Sequence, residues 1–428
     1  MKQMKLPSHI TQAPEILRQF MFYQKSQHWS RQQILDYQNS KLKEIVAYAG
    51  KYVPYYRKLF QDIELDTSSF RGIEDLDNIP FLDKETLRSR QEEFIADTVH
   101  DLDARVEKTS GSTGTPLRLM IDKHSRANKY AAYARAYRWA GYSPGALRFV
   151  VKGFSESKSK DWGYDVLRNM IYLNSSRMNK ENCLEVAKLV SKLKPSIYEG
   201  YARSFIDLHN QIKDECKLSS PRGIFVYGET VTPGIRDHVQ KVFGSHLFDF
   251  YSHAENSVMI CEKPDGRRYL MEDFFYPELI CAEAKPAEEG YGELVGTSFY
   301  NYAMPFIRYK TRDYVRLAPD QSKNFREVLS IEGRMDDYIL MPDGRKIYFA
   351  EGALGYAEGI VAAQYIQDET DHLTVNLIVE EGFSANSYPL ITQGLVKRLG
   401  PSLRFSFKIV SELERKDSGK TPFIIRKI

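Results

Sequence analysis

Along the first sixty residues apolar positions recur three and four apart. ILRQFMFYQKSQHWS and RQQILDYQNSKLKEIVAYAGKYVPYYRKLF both carry this stripe, which predicts two amphipathic helical runs. Pro54 ends or redirects the second run, because the ring disfavours helix at the preceding residue. The segment IEDLDNIPFLDKETLRSRQEEFI predicts a turn and a further helix, with Asp83 as its cap ahead of KETLRSRQEEF.

The periodicity then changes. Arg105–Lys108 and Pro116–Ile121 predict two extended segments, and Asp122 is placed to cap a helix from Lys123 to about Trp139, whose AAYARAY stretch has high helix propensity. LRFVVKG, GIFVYGE and LFDFYS are short β-rich runs. Helical patterns in NKENCLEVAKLVSKL and TPGIRDHVQKVF alternate with them, and alternation of this kind predicts α/β layers. From about residue 290, YGELVGTSFY, PFIRYKTRDYVRLA and REVLSIEGRMDDYILMPDGRKIYF predict closely spaced strands. Beyond about Arg334 come a helix candidate near Ala350–Glu358, the strands AAQYIQDE and DHLTVNLIVE, the helix ITQGLVKRL and the strand FSFKIV. This tail has its own α+β pattern. The expected division is therefore residues 1–333 and residues 334–428, with no repeat and no low-complexity linker between them.

Composition narrows the functional classes. A chain of 428 residues is long enough for more than one domain. Sixty Lys and Arg against 57 Asp and Glu leave a net charge of +3, well mixed along the chain, which offers no basic face for nucleic acid. The amino-terminal MKQMKLPSHITQ has no apolar run after its lysines, unlike a signal peptide, and no stretch has the apolar length of a membrane span; the expectation is a cytoplasmic protein. The cysteines at 183, 216, 261 and 281 form no CxxC pair. Cys261 and Cys281 could join His246 or His253 around zinc, but the spacing is loose, and buried, inert thiols are the simpler reading.

The stretch EKTSGSTGTPLRLMIDK concentrates hydroxyls and glycines between the two extended segments. Such a loop can turn several N–H groups and hydroxyls towards an anion. It is neither a Walker A loop, since no Lys follows its glycines, nor GxGxxG. Alone, it is more often an ordinary polar turn.

Set beside other motifs, Thr109–Pro116 resembles the phosphate loop of the adenylate-forming superfamily. The chain is most similar to its phenylacetate–CoA ligase/CapK branch, over essentially its whole length. The resemblance implies a large multi-subdomain α/β adenylation domain, with a small, mobile α+β domain behind it. It implies that Ser110, Gly111, Ser112, Thr113, Gly114 and Thr115 hold the phosphates of ATP. Tyr227-Gly228-Glu229-Thr230 resembles the Gly-Glu element beside the nucleotide, assigning Gly228 and Glu229 to that pocket. Phe250-Tyr251-Ser252-His253-Ala254-Glu255 stands where the family has aromatic-Gly-x-Thr-Glu, which implies adenine stacking on Tyr251, a lining role for Ser252 and Mg²⁺ coordination by Glu255. Ile307–Asp313 resembles Arg-Tyr-x-Thr-Gly-Asp, with Asp313 on the ribose hydroxyls. Gly333–Asp337 resembles the hinge motif, with Arg334 near the nucleotide and Asp336 at the pivot, and Gly344 lies in the loop that follows. Arg415-Lys416-Asp417-Ser418-Gly419-Lys420 resembles the catalytic-lysine motif, with Lys420 reaching the substrate carboxylate and the α-phosphate.

The chemistry implied is activation of a carboxylic acid by ATP, with acyl transfer to CoA as the most concrete second step. The alternative is a CapK-like transfer to an amine or hydroxyl of a sugar, polysaccharide precursor or natural product, and a non-catalytic family member is the third reading. A homodimer is suggested by the resemblance alone. Three positions depart from the pattern: Ser252 replaces a glycine, Ala254 a threonine and Arg312 a glycine. His253 is read either as touching substrate or acceptor, or as a structural imidazole beside the pocket.

Overall fold

The computed structural model describes residues 12–108, 117–153, 161–229, 231–281, 290–320, 322–334, 338–348, 359–380, 382–415 and 421–428. The helix candidate near 350–358 lies outside them. Contacts divide the chain into two units. One is formed by residues up to Trp139 together with Phe250–Ser330, the other by Ala140–Asp249 with Ile331–Ile428.

In the first unit, helices Ala13–Ser26, Arg31–Tyr52 and Pro54–Asp62 follow the amino-terminal stripe. Ser30 and Gln33 form a capping box at the start of the second. That helix stops at Tyr52, and Pro54 opens the next one at its first turn, where a missing N–H costs nothing. Asp83 caps Lys84–Ser89 by accepting from the Thr86 amide. Asp122 does the same for Lys123–Trp139 through the Ser125 amide at 2.6 Å. The strands Arg105–Lys108 and Arg118–Ile121 pair antiparallel, with Lys108 opposite Arg118, on either side of the hydroxyl–glycine segment.

The strands that lie wholly or partly in this unit follow the order Phe275–Ile280, Tyr291–Ser298, Tyr309–Leu317, Glu327–Arg334, Arg268–Leu270, Met259–Glu262 and Leu247–Ser252. Behind them lies a buried ion pair. Arg135 and Asp273 meet at 2.5 Å with both side chains fully buried, and Ser26 also donates to Asp273.

The second unit holds a mostly parallel sheet. Ile224–Tyr227, Ile197–Gly200, Arg148–Lys152 and Met170–Asn174 run parallel in that order, and Trp162–Asp165 closes the edge antiparallel. Helices Lys180–Leu193, Ala202–Ile212 and Pro233–Phe243 supply the crossovers. The core joins Phe149, Val151, Ile171 and Leu173 to Val186, Phe205 and Val239. The same core takes in Val361, Ala362, Ile378 and Leu413 from the carboxy-terminal part. There, Arg404–Ile409, His372–Val379, Ile360–Glu369 and Ile424–Arg426 form a four-stranded sheet beside helix Tyr388–Leu399, with its own core of Tyr365, Val375, Leu377, Ile391 and Leu395. Close packing within the unit is visible at Gly234, where a Cβ would stand 2.1 Å from the Ile360 carbonyl oxygen.

Candidate active site

In the first unit, period-2 alternation puts Tyr309, Thr311, Asp313, Val315 and Leu317 on one buried face of their strand. The pairing with Tyr291–Ser298 then breaks. Glu293 lies opposite Tyr314 and Val295 opposite Lys310, so Thr311, Arg312 and Asp313 face the single residue Leu294. The Thr311 hydroxyl donates to the Leu294 carbonyl at 2.6 Å and accepts from the Asp313 amide at 3.1 Å. Arg312 takes a left-handed backbone, φ 64°, and its amide donates to Glu293 at 2.9 Å. The resemblance has glycine at this position, and the bulge explains why: a left-handed residue is needed to re-aim the strand. Burial pushes the Glu293 carboxyl up while the Arg312 amide and Lys310 hold it down.

The bulge presents Asp313 to the end of the strand Leu247–Ser252. Tyr251 Oη donates to Asp313 Oδ2 at 2.5 Å, and His253 Nε2 lies 2.8 Å from the same oxygen and 2.6 Å from Tyr251 Oη. A turn with Asn256 at φ 56° follows and carries Glu255. Glu255 is buried, and its Oε1 accepts from Tyr309 Oη at 3.2 Å. Asp313, Tyr251 and His253 are thus one cluster, and Glu255 hangs from the same strand through Tyr309. Ser252 Oγ meets Tyr133 Oη at 2.6 Å, and the rings of Tyr133, Tyr137 and Phe250 lie nearly parallel about 6 Å apart. The hydroxyl that replaces the glycine is therefore engaged by a tyrosine one helix away.

Arg308, also left-handed at φ 51°, is buried and holds Glu278, Asp77 and the carbonyls of Leu76 and Ile79. Its place in the motif is that of an internal brace.

In the second unit, Gly228 ends the strand Ile224–Tyr227 at φ 74°, a conformation suited to glycine. The turn aims Glu229 at two backbone amides. Oε2 accepts from Arg203 N at 3.2 Å, at the first turn of helix Ala202–Ile212, and Oε1 accepts from Thr421 N at 2.8 Å. Arg415 donates to the Ser175 carbonyl at 2.7 Å and pairs with Asp207. Burial and the carboxylates of Glu412 and Glu229 push the Asp207 carboxyl up to about 7, against the pull of Arg415 and Arg203.

Ser110 to Thr115, the Arg334 side chain, Asp336 and Lys420 lie outside the described residues. Sequence reasoning missed Tyr133, Tyr309, Arg203, Asp207 and Gln364, whose side-chain amide donates to the Glu414 and Pro422 carbonyls. Tyr133 and Tyr137 share a helix face by their spacing of four, and Tyr309 is two residues from Thr311 in a strand, so those signals were present. The other three matter only through contacts distant in sequence.

Among the described residues no group of three or more His, Cys, Asp or Glu is gathered as a metal ligand set, and Cys261 lies buried in its strand. Burial raises the Cys183 thiol to about 12, which leaves it unreactive. For Mg²⁺ the requirement is lighter. One or two carboxylates complete a shell made mostly of water and phosphate oxygens, and a buried Glu255 oriented by one tyrosine hydroxyl fits that donor set.

Residues 339–427 match the family described as the CapK C-terminal domain. Protein CapK of Staphylococcus aureus is 23% identical over 414 residues, covering 92% of this chain and 90% of that protein. The phenylacetate-coenzyme A ligase of Escherichia coli (strain K12) is 27% identical over 319 residues, covering 71% of this chain and 72% of that protein. Among solved structures, 2-hydroxyisobutyryl-CoA ligase in the postadenylation state, in complex with 2-HIB-AMP, superposes with a TM-score of 0.73 at 20% identity, over 91% of this chain and 88% of that one.

Proposed function

We propose that this chain, an adenylate-forming superfamily protein by its fold and a CapK relative by its carboxy-terminal domain, is an ATP-dependent carboxylate ligase that acts in two steps. A bound carboxylate attacks the α-phosphorus of ATP, forming an acyl-adenylate and releasing pyrophosphate. A thiol, most concretely that of CoA, then attacks the acyl carbonyl and releases AMP. The observation that carries the proposal is the cluster in which a strand bulge turns Asp313 onto Tyr251 and His253. Relatives named as CoA ligases support the acceptor.

In this reading Tyr251 stacks on adenine, Asp313 accepts from the ribose hydroxyls and residues 110–115 cradle the phosphates. Glu255 would hold Mg²⁺, which when bound would supply positive charge against the polyphosphate. Lys420 offsets the negative charge shared by the attacking carboxylate and the α-phosphate in the transition state, a contribution that an oriented cation makes without transferring a proton. Residues 334–428 form the small domain, with Asp336 as pivot between the two steps. An ATP- and CoA-dependent reaction belongs in the cytoplasm, and among the described residues no helix is long and apolar enough to cross a membrane.

A second reading, acyl transfer to an amine or hydroxyl of a sugar precursor, is favoured by the CapK C-terminal domain match. Both readings require adenylation. Exchange of labelled pyrophosphate into ATP across a carboxylic-acid panel tests it. Exchange with at least one acid is expected, and Lys420→Ala should suppress it while leaving the fold intact. No exchange from folded protein that binds MgATP counts against adenylation, and full activity in Lys420→Ala removes that residue from its role. Mass analysis of the product, with CoA and with amines supplied, separates the two acceptors.

A further inference from the structure

On either side of residues 416–420 the main chain is held by a side chain that no motif includes. Upstream, Glu414 is held in both directions by the side-chain amide of Gln364. Gln364 Nε2 donates to the Glu414 carbonyl at 2.9 Å, and Gln364 Oε1 accepts from the Glu414 amide at 3.0 Å. Downstream, the same Nε2 donates to the Pro422 carbonyl at 3.0 Å. One side chain therefore grips both ends of the span at once. Its own strand reinforces the downstream end. Tyr365 N donates to the Phe423 carbonyl at 2.9 Å, and Tyr365 pairs in parallel with Ile424.

Gln364 is fully buried, in a strand whose neighbouring positions are Ala362, Ala363, Tyr365 and Ile366. An apolar residue would serve packing there at no desolvation cost. An amide does what an apolar residue cannot, because it offers an acceptor to one N–H and two donors to two carbonyls in the same plane. A carboxylate would meet those carbonyls with its own negative charge. The choice of glutamine matches the backbone groups it faces.

The ends are also fixed outwards. Arg415 reaches the Ser175 carbonyl and Asp207, and Thr421 N reaches Glu229. Thr421 directly follows Lys420 in the sequence. A lysine at the end of a flexible four-carbon stem depends on its main chain for aim, and small misplacements of a catalytic group cost large factors in rate.

We propose that Gln364 is a positioning residue for Lys420, tying together the two ends of the Arg415–Thr421 span while Glu229 fixes the downstream end. This rests on the assignment of Lys420 to the adenylation step. The grip itself is independent of that assignment, so the two are tested separately.

Hydrogen exchange of the full-length protein, read at single residues, tests the grip without any substrate. Gln364→Met keeps the volume and removes the bonds. Exchange at the Glu414 amide should rise at least about tenfold, since its acceptor is gone. The decisive site is Thr421, whose direct partner Glu229 is untouched: its exchange should rise by a similar factor while the strand His372–Val379 keeps its protection. Unchanged protection at Thr421 overturns the proposal. Glu229→Ala, at a half-exposed position, guards against misfolding of the buried variant. It should free Thr421 while Glu414 stays protected, and an unaffected Thr421 there also overturns the downstream end of the grip.

With an acid identified by pyrophosphate exchange, Gln364→Met should lower kcat at least about tenfold and leave the KM for ATP in place, as loss of orientation does. A raised KM with unchanged kcat overturns the positioning role. Full exchange activity in Lys420→Ala would instead remove Lys420 from the role assigned to it, while leaving the hydrogen-exchange result to decide the grip.

Discussion

Replacing Arg415 by Met should cost more stability in mild alkali than in mild acid. Asp207 lies buried on helix Ala202–Ile212, facing Arg415 and Arg203 as cations and Glu412 and Glu229 as anions. Cys183, on the neighbouring helix Lys180–Leu193, also feels this charge. Burial and the two carboxylates outweigh the guanidinium groups, so the Asp207 carboxyl rises from an ordinary 3.8 to about 7. A rise of about three units corresponds to about 4 kcal/mol between the two protonation states. Because the folded-state value is raised, the stability it confers is fully present below about pH 4 and is lost as pH rises through about 7.

At about pH 8 Asp207 is mostly ionised with Arg415 as its direct counter-charge; without the guanidinium the carboxyl takes up a proton, which one unit above a value of about 7 adds at most about 1.4 kcal/mol to what the variant loses in acid. At about pH 5 Asp207 is protonated, and the variant loses only neutral-partner hydrogen bonds, including that to the Ser175 carbonyl, worth about 1–2 kcal/mol. The assay is the opening free energy of the segment Arg404–Arg415 from native-state hydrogen exchange at the two pH values, corrected for intrinsic exchange. Asp207→Asn is the control, and should flatten the pH dependence. An equal cost for Arg415→Met at both pH values would refute the reasoning, because it would mean that Asp207 holds the same charge across the range.

Two further outcomes follow from the geometry. Arg312→Gly places an unstrained residue at φ 64° and should be neutral to stabilising by about 0.5–1 kcal/mol in thermal unfolding; a clear loss would show that the Arg312 side chain carries more than the bulge requires. Tyr309→Phe removes the hydroxyl that orients Glu255, and should raise the Mg²⁺ concentration for half-maximal pyrophosphate exchange about tenfold. An unchanged Mg²⁺ dependence would take Glu255 out of the metal's reach.

The helices, the strand–helix alternation and the caps at Asp83 and Asp122 were legible in the sequence, because each depends on residues within one or two turns of chain. Short strands such as Ile197–Gly200, Arg268–Leu270 and Ile424–Arg426 were not. With three or four residues they have no periodicity to read, and they exist through pairing with distant partners. The motifs were legible one at a time, as spacings of residue types. Their geometry was not. Asp313 meets Tyr251 and His253 only because a bulge opposite Leu294 turns the strand, and the pairing that creates it joins two strands read separately.

By itself the sequence determined the α/β character, the order of the motifs and the residue types able to do chemistry, since periodicity and local capping are properties of neighbouring residues. Only the tertiary structure decided that Glu229 spends both oxygens on the amides of Arg203 and Thr421. It alone decided that a buried glutamine grips both ends of the span before and after Lys420, and that Asp207 is buried with Arg415, Arg203, Glu412 and Glu229 around it. The physical reason is the same in each case. A hydrogen bond or a desolvated charge takes its value from the groups that folding brings beside it, and the bonds named here join residues 26 to 208 positions apart along the chain.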